Sequence, residues 1–235
     1  MNLPHTLLHR LVGRSVESAV MRGFAKDGRL PVAPTGSSML RPGDNMLRIR
    51  LVGGGMVRGL GVTSAELGLA GHLSRMLQSS LRRGVSVDAW GEAGADLYDM
   101  APRLLPPGAP RPHVRIVLAG LIEGFRLRPA ALWRKDLELL APAVSVGQPP
   151  LVVALPPTLP ADLDVSHWVR RRVTRTLAEL SEVSAEWVDQ HPGALLAPAA
   201  EPGTRKTLGT SEDYARTAAA IAPVVADAVW AAGTR

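Results

Sequence analysis

The first part of the chain carries apolar residues at the spacing of an amphipathic helix. In "LPHTLLHRLVGRSVESAVMRGFAK" they recur three and four positions apart, with basic residues on the other faces. These apolar positions are Leu7, Leu8, Leu11, Val12, Val16, Val20 and Met21. The stretch "LPVAPTGSSMLRPGDN" follows, and its prolines, glycines and serines are typical of a linker. The pattern predicts a helical arm and linker over residues 1–45, ahead of a domain over residues 46–235.

From residue 46 onward, short apolar runs alternate with helical patterns. The strand-like runs lie at residues 46–53, 85–91, 113–120, 150–156 and 193–199. The helical patterns lie at residues 63–83, 95–105, 128–144, 163–190 and 210–232. Thr63, with Glu66 three residues later, has the form of a capping box, so the first of these helices is expected to begin there. The alternation indicates an α/β fold, a three-layer α/β/α sandwich around a parallel sheet of about five strands.

Three consecutive glycines, Gly53–Gly55, end the first of these strands. Ligands of parallel α/β sheets bind at the carboxyl ends of the strands, where this turn lies. One interpretation is a nucleotide loop, because Gly55, Gly59 and Gly61 have the spacing GxxxGxG. However, the acidic residue nearest to the ribose position, Asp88, lies near the middle of the second strand. The sequence also has no Tyr-x-x-x-Lys and no Gly-Lys-Ser/Thr. A nucleotide-binding enzyme is therefore the weaker alternative.

Composition limits the chemistry that this turn can support. The chain has 235 residues, 46% of them apolar, and no cysteine, which excludes disulfides and thiolate sites. Its net charge is +6, of which residues 1–48 supply +4 through seven basic and three acidic residues. The basic residues are scattered and aromatic residues make up only 4%, so no nucleic-acid partner is expected. No histidine spacing fits a metal site, and neither a metal nor another cofactor is expected.

Location and partners can be predicted from the same patterns. No apolar run reaches the length of about 18 residues that a membrane span needs. His5, His9, Arg10 and Arg14 interrupt any signal-like apolar core, so we expect a cytoplasmic protein. The basic helical arm is expected to pack on the domain. Contact with another subunit or with a membrane surface is the alternative.

Five segments carry a family resemblance. "VGGGMVRG" follows the first strand, and "GVTSAELGLAGHLSRML" supplies the helix after it. "WGEAGADLYDM" and "VLAGLIEGFRLRPAALWRKDLELL" follow the second and third strands, and "YARTAAAIAPVVA" lies in the last helix. In this order and spacing, residues 46–232 resemble the SGNH/GDSL hydrolases, in the form that is common in actinobacteria. The resemblance implies a flavodoxin-like sandwich and an esterase- or lipase-like ancestry.

The motif residues of that family are mostly replaced in this chain. Its first motif, Gly-Asp-Ser-x-x-x-Gly, falls on Gly53, Gly54, Gly55 and Gly59. The glycine of its second motif falls on Gly94. Its third motif, Gly-x-Asn-Asp, falls on Gly120, Leu121, Ile122 and Glu123. Its last motif, Asp-x-x-His, falls on Arg205 and Leu208. The resemblance thus places glycine at the nucleophile, isoleucine at the oxyanion amide and leucine at the general base.

These replacements predict a protein without the family's chemistry. Gly55 has no oxygen that could form an acyl-enzyme, and Ile122 cannot donate a hydrogen bond to an oxyanion. No catalytic residue is therefore expected, and the leading hypothesis is a pseudo-hydrolase that binds a ligand or a partner. A small acyl or anionic ligand would be held by Gly54, Gly55, Arg58, Gly94 and Glu123. Two alternatives stay open, a site filled by apolar packing and an active ester hydrolase or acyltransferase with a non-standard site.

Overall fold

The computed structural model of the chain describes residues 3–24, 32–160, 163–201 and 209–233, with side chains from residue 12 onward. It contains six strands, which are β1 (Met39–Arg41), β2 (Leu47–Gly53), β3 (Val85–Gly91), β4 (Val114–Leu118), β5 (Leu151–Ala154) and β6 (Ala194–Ala197). They form one sheet in the order β1-β3-β2-β4-β5-β6. Strands β2 to β6 are parallel, and β1 pairs antiparallel with β3 at one edge. The predicted parallel sheet of five strands is confirmed, with one further edge strand.

Helices cover both faces of this sheet. They are α1 (Leu3–Phe24), α2 (Gly55–Arg58), α3 (Leu69–Leu81), α4 (Leu97–Met100), α5 (Leu121–Phe125), α6 (Ala130–Leu137), α7 (His167–Asp189) and α8 (Ser211–Gly233). Helices α3 and α8 pack on one face against the core side chains of Leu47, Ile49 and Leu51. Helices α6 and α7 pack on the other face, together with Val52 and Val117. The architecture is the expected three-layer α/β/α sandwich.

Burial on both faces explains the apolar strands. Every residue of β4 and β5 is buried, as parallel strands between two helical layers must be. The apolar helix α8 also belongs to this core, because Tyr214, Ile221 and Val225 are fully buried against the sheet and α3. By length and composition alone, α8 is the one helix among the described residues that could cross a membrane. The burial of one face of α8 is typical of a core helix in an α/β domain.

The linker and the start of α3 differ from the sequence predictions. Residues 39–41 form β1, and just before them Ser38 Oγ accepts a hydrogen bond from the backbone N–H of Ala89, at 3.0 Å. Helix α3 begins at Leu69 behind an extended Gly68, so the prediction of an N-cap at Thr63 was wrong. Instead of capping a helix, Glu66 forms ion pairs with Arg75, at 2.7 Å, and with Arg41. The division of the chain at residue 46 stays a prediction.

Helix α1 packs on the domain, close to the carboxyl ends of the strands. Val16, Val20 and Phe24 are buried in a cluster with residues of α5 and α7, and the rings of Phe24 and Phe125 lie 6.1 Å apart. Gly13 allows this contact, because a Cβ atom there would come within 3.0 Å of the carbonyl oxygen of Arg126. The arm is therefore held by close backbone approach as well as by apolar burial.

Candidate functional site

The glycine turn lies at the carboxyl end of β2 and leads directly into α2. Gly55 is the first residue of that four-residue helix. Gly59 ends it in the left-handed conformation, with φ +83°, and its N–H donates to the carbonyl of Met56, at 3.1 Å. A residue with a Cβ atom is strained at such a φ, so glycine at position 59 fixes the tight return of the chain.

The parallel sheet brings the predicted motif positions together. Strands β3, β2 and β4 are neighbours, so the segments that follow their carboxyl ends share one edge of the sheet. A Cβ atom on Gly55 would lie 4.0 Å from Cα of Ala93, beside Gly94. Gly55, Gly94, Ile122 and Glu123 all line one cavity at this edge. The structure thus assembles the first three motif positions as the resemblance implies.

This cavity is small and mostly apolar. Its volume is about 130 Å³. An engineered apolar protein cavity of about 150 Å³ binds benzene, so the space suits a ligand of that size or a short acyl group. Helix α1 contributes part of the wall through Met21 and Phe24. The remaining apolar wall consists of Met56, Leu60, Ala93, Ala95, Met100, Leu118, Leu121, Ile122 and Phe125.

The side chain of Leu60 occupies the place that the nucleophile's side chain would need. A Cβ atom on Gly55 would come within 3.0 Å of Cδ1 of Leu60 and would lie 3.1 Å from its Cγ. The backbone holds Leu60 there, because its N–H donates to the carbonyl of Gly55 at 3.0 Å. On its other side, the hydroxyl of Tyr214 donates to the carbonyl of Leu60 at 2.6 Å. The nucleophile position is therefore filled by an apolar group from within the chain.

Glu123 is the buried carboxyl group of the site. Its Oε1 accepts from the N–H of Leu97 at 3.1 Å, and its Oε2 accepts from the N–H of Gly120 at 3.0 Å. The group thereby ties the start of α4 to the turn before α5. Burial raises the pKa of Glu123 to about 7, although these backbone hydrogen bonds act in the opposite direction. Both oxygens therefore stabilise the backbone around the cavity that Glu123 lines.

The arginine nearest to the second-motif glycine was not among the predicted residues. Arg58 is exposed and does not line the cavity. Arg126, at the end of α5, donates from Nη2 to the carbonyl of Gly94 at 3.3 Å and pairs through Nε with Glu17 of α1 at 2.9 Å. It thus joins the arm to the loop of Gly94. No short motif marks this contact in the sequence, because the partners lie 109 and 32 positions away.

The last motif lies outside the described residues. Arg205 and Leu208 fall in the segment 202–208, so their predicted place in the site stays a prediction. Gly209 and Tyr214, which follow that segment, both line the cavity. Gly209 has φ +93°, and a Cβ atom there would come within 3.0 Å of the carbonyl oxygen of Leu60. The chain after the last motif therefore passes directly over Leu60.

A serine and a histidine meet elsewhere in the structure. Nε2 of His72 and Oγ of Ser211 lie 2.9 Å apart, on the side of the sheet that α3 and α8 cover. Nη2 of Arg75 lies 3.0 Å from Nδ1 of His72. Because a guanidinium can only donate, Nδ1 is the acceptor and Nε2 carries the proton. His72 therefore donates to Ser211 and cannot take its proton. Burial and Arg75 both lower the pKa of His72.

Metal ligands do not gather at this site. Among the described residues, no three or more histidine, aspartate or glutamate side chains come close enough to hold an ion. Glu123 is the carboxylate of the cavity, and its oxygens already accept backbone hydrogen bonds.

Solved structures with a similar fold include esterases. A carbohydrate acetylesterase family member from Sinorhizobium meliloti is 17% identical, with a TM-score of 0.60 over 78% of this chain and 99% of that one. The M. smegmatis aryl esterase is 15% identical, with a TM-score of 0.57 over 77% and 99%. A member of the lipolytic G-D-S-L family from Veillonella parvula is 14% identical, with a TM-score of 0.52 over 77% and 98%. Neither a family model nor a curated protein matches the sequence. The chain has an SGNH/GDSL hydrolase-like fold.

Proposed function

We propose that this SGNH-fold protein does not hydrolyse esters by the family's mechanism and instead binds a small apolar or short acyl ligand in the cavity beside Gly55. The observation that carries the proposal is the position of Leu60, whose Cδ1 fills the nucleophile's place. An apolar wall disfavours an isolated anion, because burying an unpaired charge costs far more than burying a neutral group. The anionic ligand considered from the sequence is therefore less well supported than a neutral one.

The cavity retains features that would orient a carbonyl group. Gly55 and Gly94 line it, and the exchange of the nucleophile's residue for Gly55 leaves the backbone N–H of that position in place. Burial raises the pKa of Glu123 to about 7, so below that pH the group is mostly protonated and can donate a hydrogen bond from inside the apolar wall. A neutral molecule with one carbonyl and a short apolar part therefore fits the site better than a hydrocarbon does.

The experiment measures ligand binding and ester cleavage on the same preparation. Thermal shift and calorimetry with benzene, butyramide and butyrate test the cavity, and p-nitrophenyl acetate tests turnover. We expect stabilisation by benzene and butyramide, weaker stabilisation by butyrate, and no turnover above the buffer rate. Turnover that a single substitution at the cavity abolishes would overturn the loss of catalysis. No stabilisation by any of the three ligands would overturn the binding role.

The second candidate is an ester hydrolase or acyltransferase with a non-standard site. The observation in its favour is Glu123, a cavity carboxyl group whose pKa of about 7 suits a general acid or base. Glu123→Gln separates the two functions. Under this second candidate, the substitution removes any turnover of p-nitrophenyl acetate without abolishing butyramide binding. Under the leading proposal, there is no turnover to remove.

The nucleotide-binding alternative has the least support. A cavity of about 130 Å³ is well below the roughly 300–1,000 Å³ of typical ligand pockets. Asp88, the candidate ribose ligand, lies in the middle of β3 and is paired with Arg50. A cytoplasmic location remains part of the proposal, and fractionation of the native cells would test it.

A further inference from the structure

A second, larger groove lies toward the amino ends of β2 and β3, away from the glycine turn. Its volume is about 550 Å³. Its polar lining comprises Arg48, Arg50, Ser86, Asp88, Arg111 and Gln148. Leucines and prolines of the segment 104–112 form the opposite wall. Three guanidinium groups and one carboxylate therefore line this groove.

The sheet register concentrates positive charge behind the groove. Arg50 is the register partner of Asp88 on β3 and of Arg115 on β4. Register partners of parallel strands project to the same face, so the three side chains form a row. Arg50 pairs with Asp88 and also donates from Nε to the carbonyl of Arg103, at 2.8 Å. The single acid of the row is thus already neutralised.

Arg115 has no acidic partner among the described residues. Its side chain is fully buried, and its Nη2 donates to the carbonyls of Ala143 and Pro149. Its Nε and Nη1 are buried without a hydrogen-bond partner. Burial, together with the nearby charge of Arg111, lowers its pKa to about 10, so the group stays cationic at neutral pH. A buried, unpaired guanidinium is costly, and an anion near it reduces that cost.

We propose that this groove binds an organic phosphate ester, with the phosphate between Arg48, Arg50 and Arg111 and the organic part against the leucine and proline wall. Guanidinium groups match the geometry of phosphate oxygens and bind them through paired N–H donors. The groove volume of about 550 Å³ lies within the roughly 300–1,000 Å³ of typical ligand pockets, so it has room for an organic part beside the phosphate. The proposal is independent of the apolar cavity.

Calorimetry on the full chain tests this site with glycerol 3-phosphate, inorganic phosphate and glycerol as probes. All three are too polar for the apolar cavity beside Gly55. We expect glycerol 3-phosphate to bind most tightly, inorganic phosphate more weakly, and glycerol not at all. Added sodium chloride should weaken binding, because the attraction is between partly exposed charges.

Two substitutions at the rim locate the binding site. Arg48 and Arg111 are exposed, so Arg48→Ala and Arg111→Ala should fold, as circular dichroism will verify. Each should weaken glycerol 3-phosphate binding about tenfold or more, the effect of losing one charge-assisted contact. Arg171→Ala, on the exposed face of α7, removes the same charge far from the groove and should leave the affinity unchanged.

Two results would overturn the proposal. One is the absence of binding heat with both phosphate probes at millimolar concentration. The other is an equal loss of affinity in Arg171→Ala and Arg111→Ala, which would show attraction to the net charge of +6 rather than to the groove.

Discussion

The side chain of Leu60 fills the space that a side chain on residue 55 would occupy. The two residues are also joined through the backbone, since the N–H of Leu60 donates to the carbonyl of Gly55 at 3.0 Å. Tyr214 also donates to the carbonyl of Leu60, so the backbone of Leu60 is held on both sides while its side chain can still change rotamer. Side chains at positions 55 and 60 therefore compete for the same space. The loss of the nucleophile's side chain leaves room that Leu60 fills.

Restoring the serine alone should destabilise the protein. Gly55→Ser brings a Cβ atom within 3.0 Å of Cδ1 of Leu60, the end of a side chain that must turn away, so we expect a cost at the low end of overpacking, about 1 kcal/mol. In Gly55→Ser/Leu60→Ala that clash is removed, so the double variant should be more stable than the sum of the single effects implies. Urea denaturation of the four proteins of this cycle measures the coupling. Strictly additive effects would contradict the proposed competition for space.

Leu60→Ala should enlarge the cavity and strengthen ligand binding. Leu60 is half-buried, so its truncation should cost less unfolding free energy than the roughly 2–5 kcal/mol of a fully buried leucine. The enlarged space should bind benzene or butyramide more tightly, as calorimetry can measure. Leu132→Ala is the matched control, because Leu132 is 37% exposed and does not line the cavity. If both variants bind these ligands equally well, the cavity is not the binding site.

Gly13→Ala should loosen the arm. Its added Cβ atom would come within 3.0 Å of the carbonyl oxygen of Arg126, so α1 must shift outward. We expect a loss of about 1–3 kcal/mol, faster hydrogen exchange in α1 and earlier tryptic cleavage after Arg14 and Arg22. Gly36→Ala is the control, since a Cβ atom there meets nothing within 4 Å. Unchanged exchange in α1 would show that its docking does not depend on the close approach at Gly13.

Glu123 should make stability depend on pH. Its pKa is about 7 when folded and 4.5 for the unperturbed group, so the folded state binds more protons between these values. Its contribution to unfolding free energy therefore falls as pH rises from about 4.5 through 7, by roughly 3 kcal/mol in total. Urea denaturation at pH values from 5 to 8 should show this decline in the wild type and a flatter profile in Glu123→Gln. If the stability of both proteins changed with pH in parallel, Glu123 would not be the source of the pH dependence.

The regular parts of the fold follow from local sequence patterns. Strand β4 was predictable because its apolar run is unbroken apart from Arg115, and α7 because its apolar residues recur at helical spacing. The order of strands and helices then limits the sheet to few topologies. The meeting of Gly55, Gly94 and Glu123 also followed, since their strands are neighbours in that topology.

Other features depend on contacts between distant residues. Strand β1 has three residues in a segment rich in proline and glycine, and only its pairing with β3 makes it a strand. Thr63 has a capping sequence, but Glu66 is drawn to Arg75 and Arg41 and the helix begins later. The side chain of Leu60 carries no motif at all. Only the structure shows its role, because its Cδ1 lies where a Cβ atom on Gly55 would be.

Helix α1 forms a wall of the cavity, and this affects the lifetime of a complex. Met21 and Phe24 border the space, and Phe24 is packed in the same cluster as Phe125. A bound molecule can leave on this side only when that packing opens. For a ligand that leaves on this side, the dissociation rate would follow the opening of the arm rather than the strength of the contacts inside. Residence time and affinity would become separately adjustable, the first through α1 and the second through the residues around Gly55.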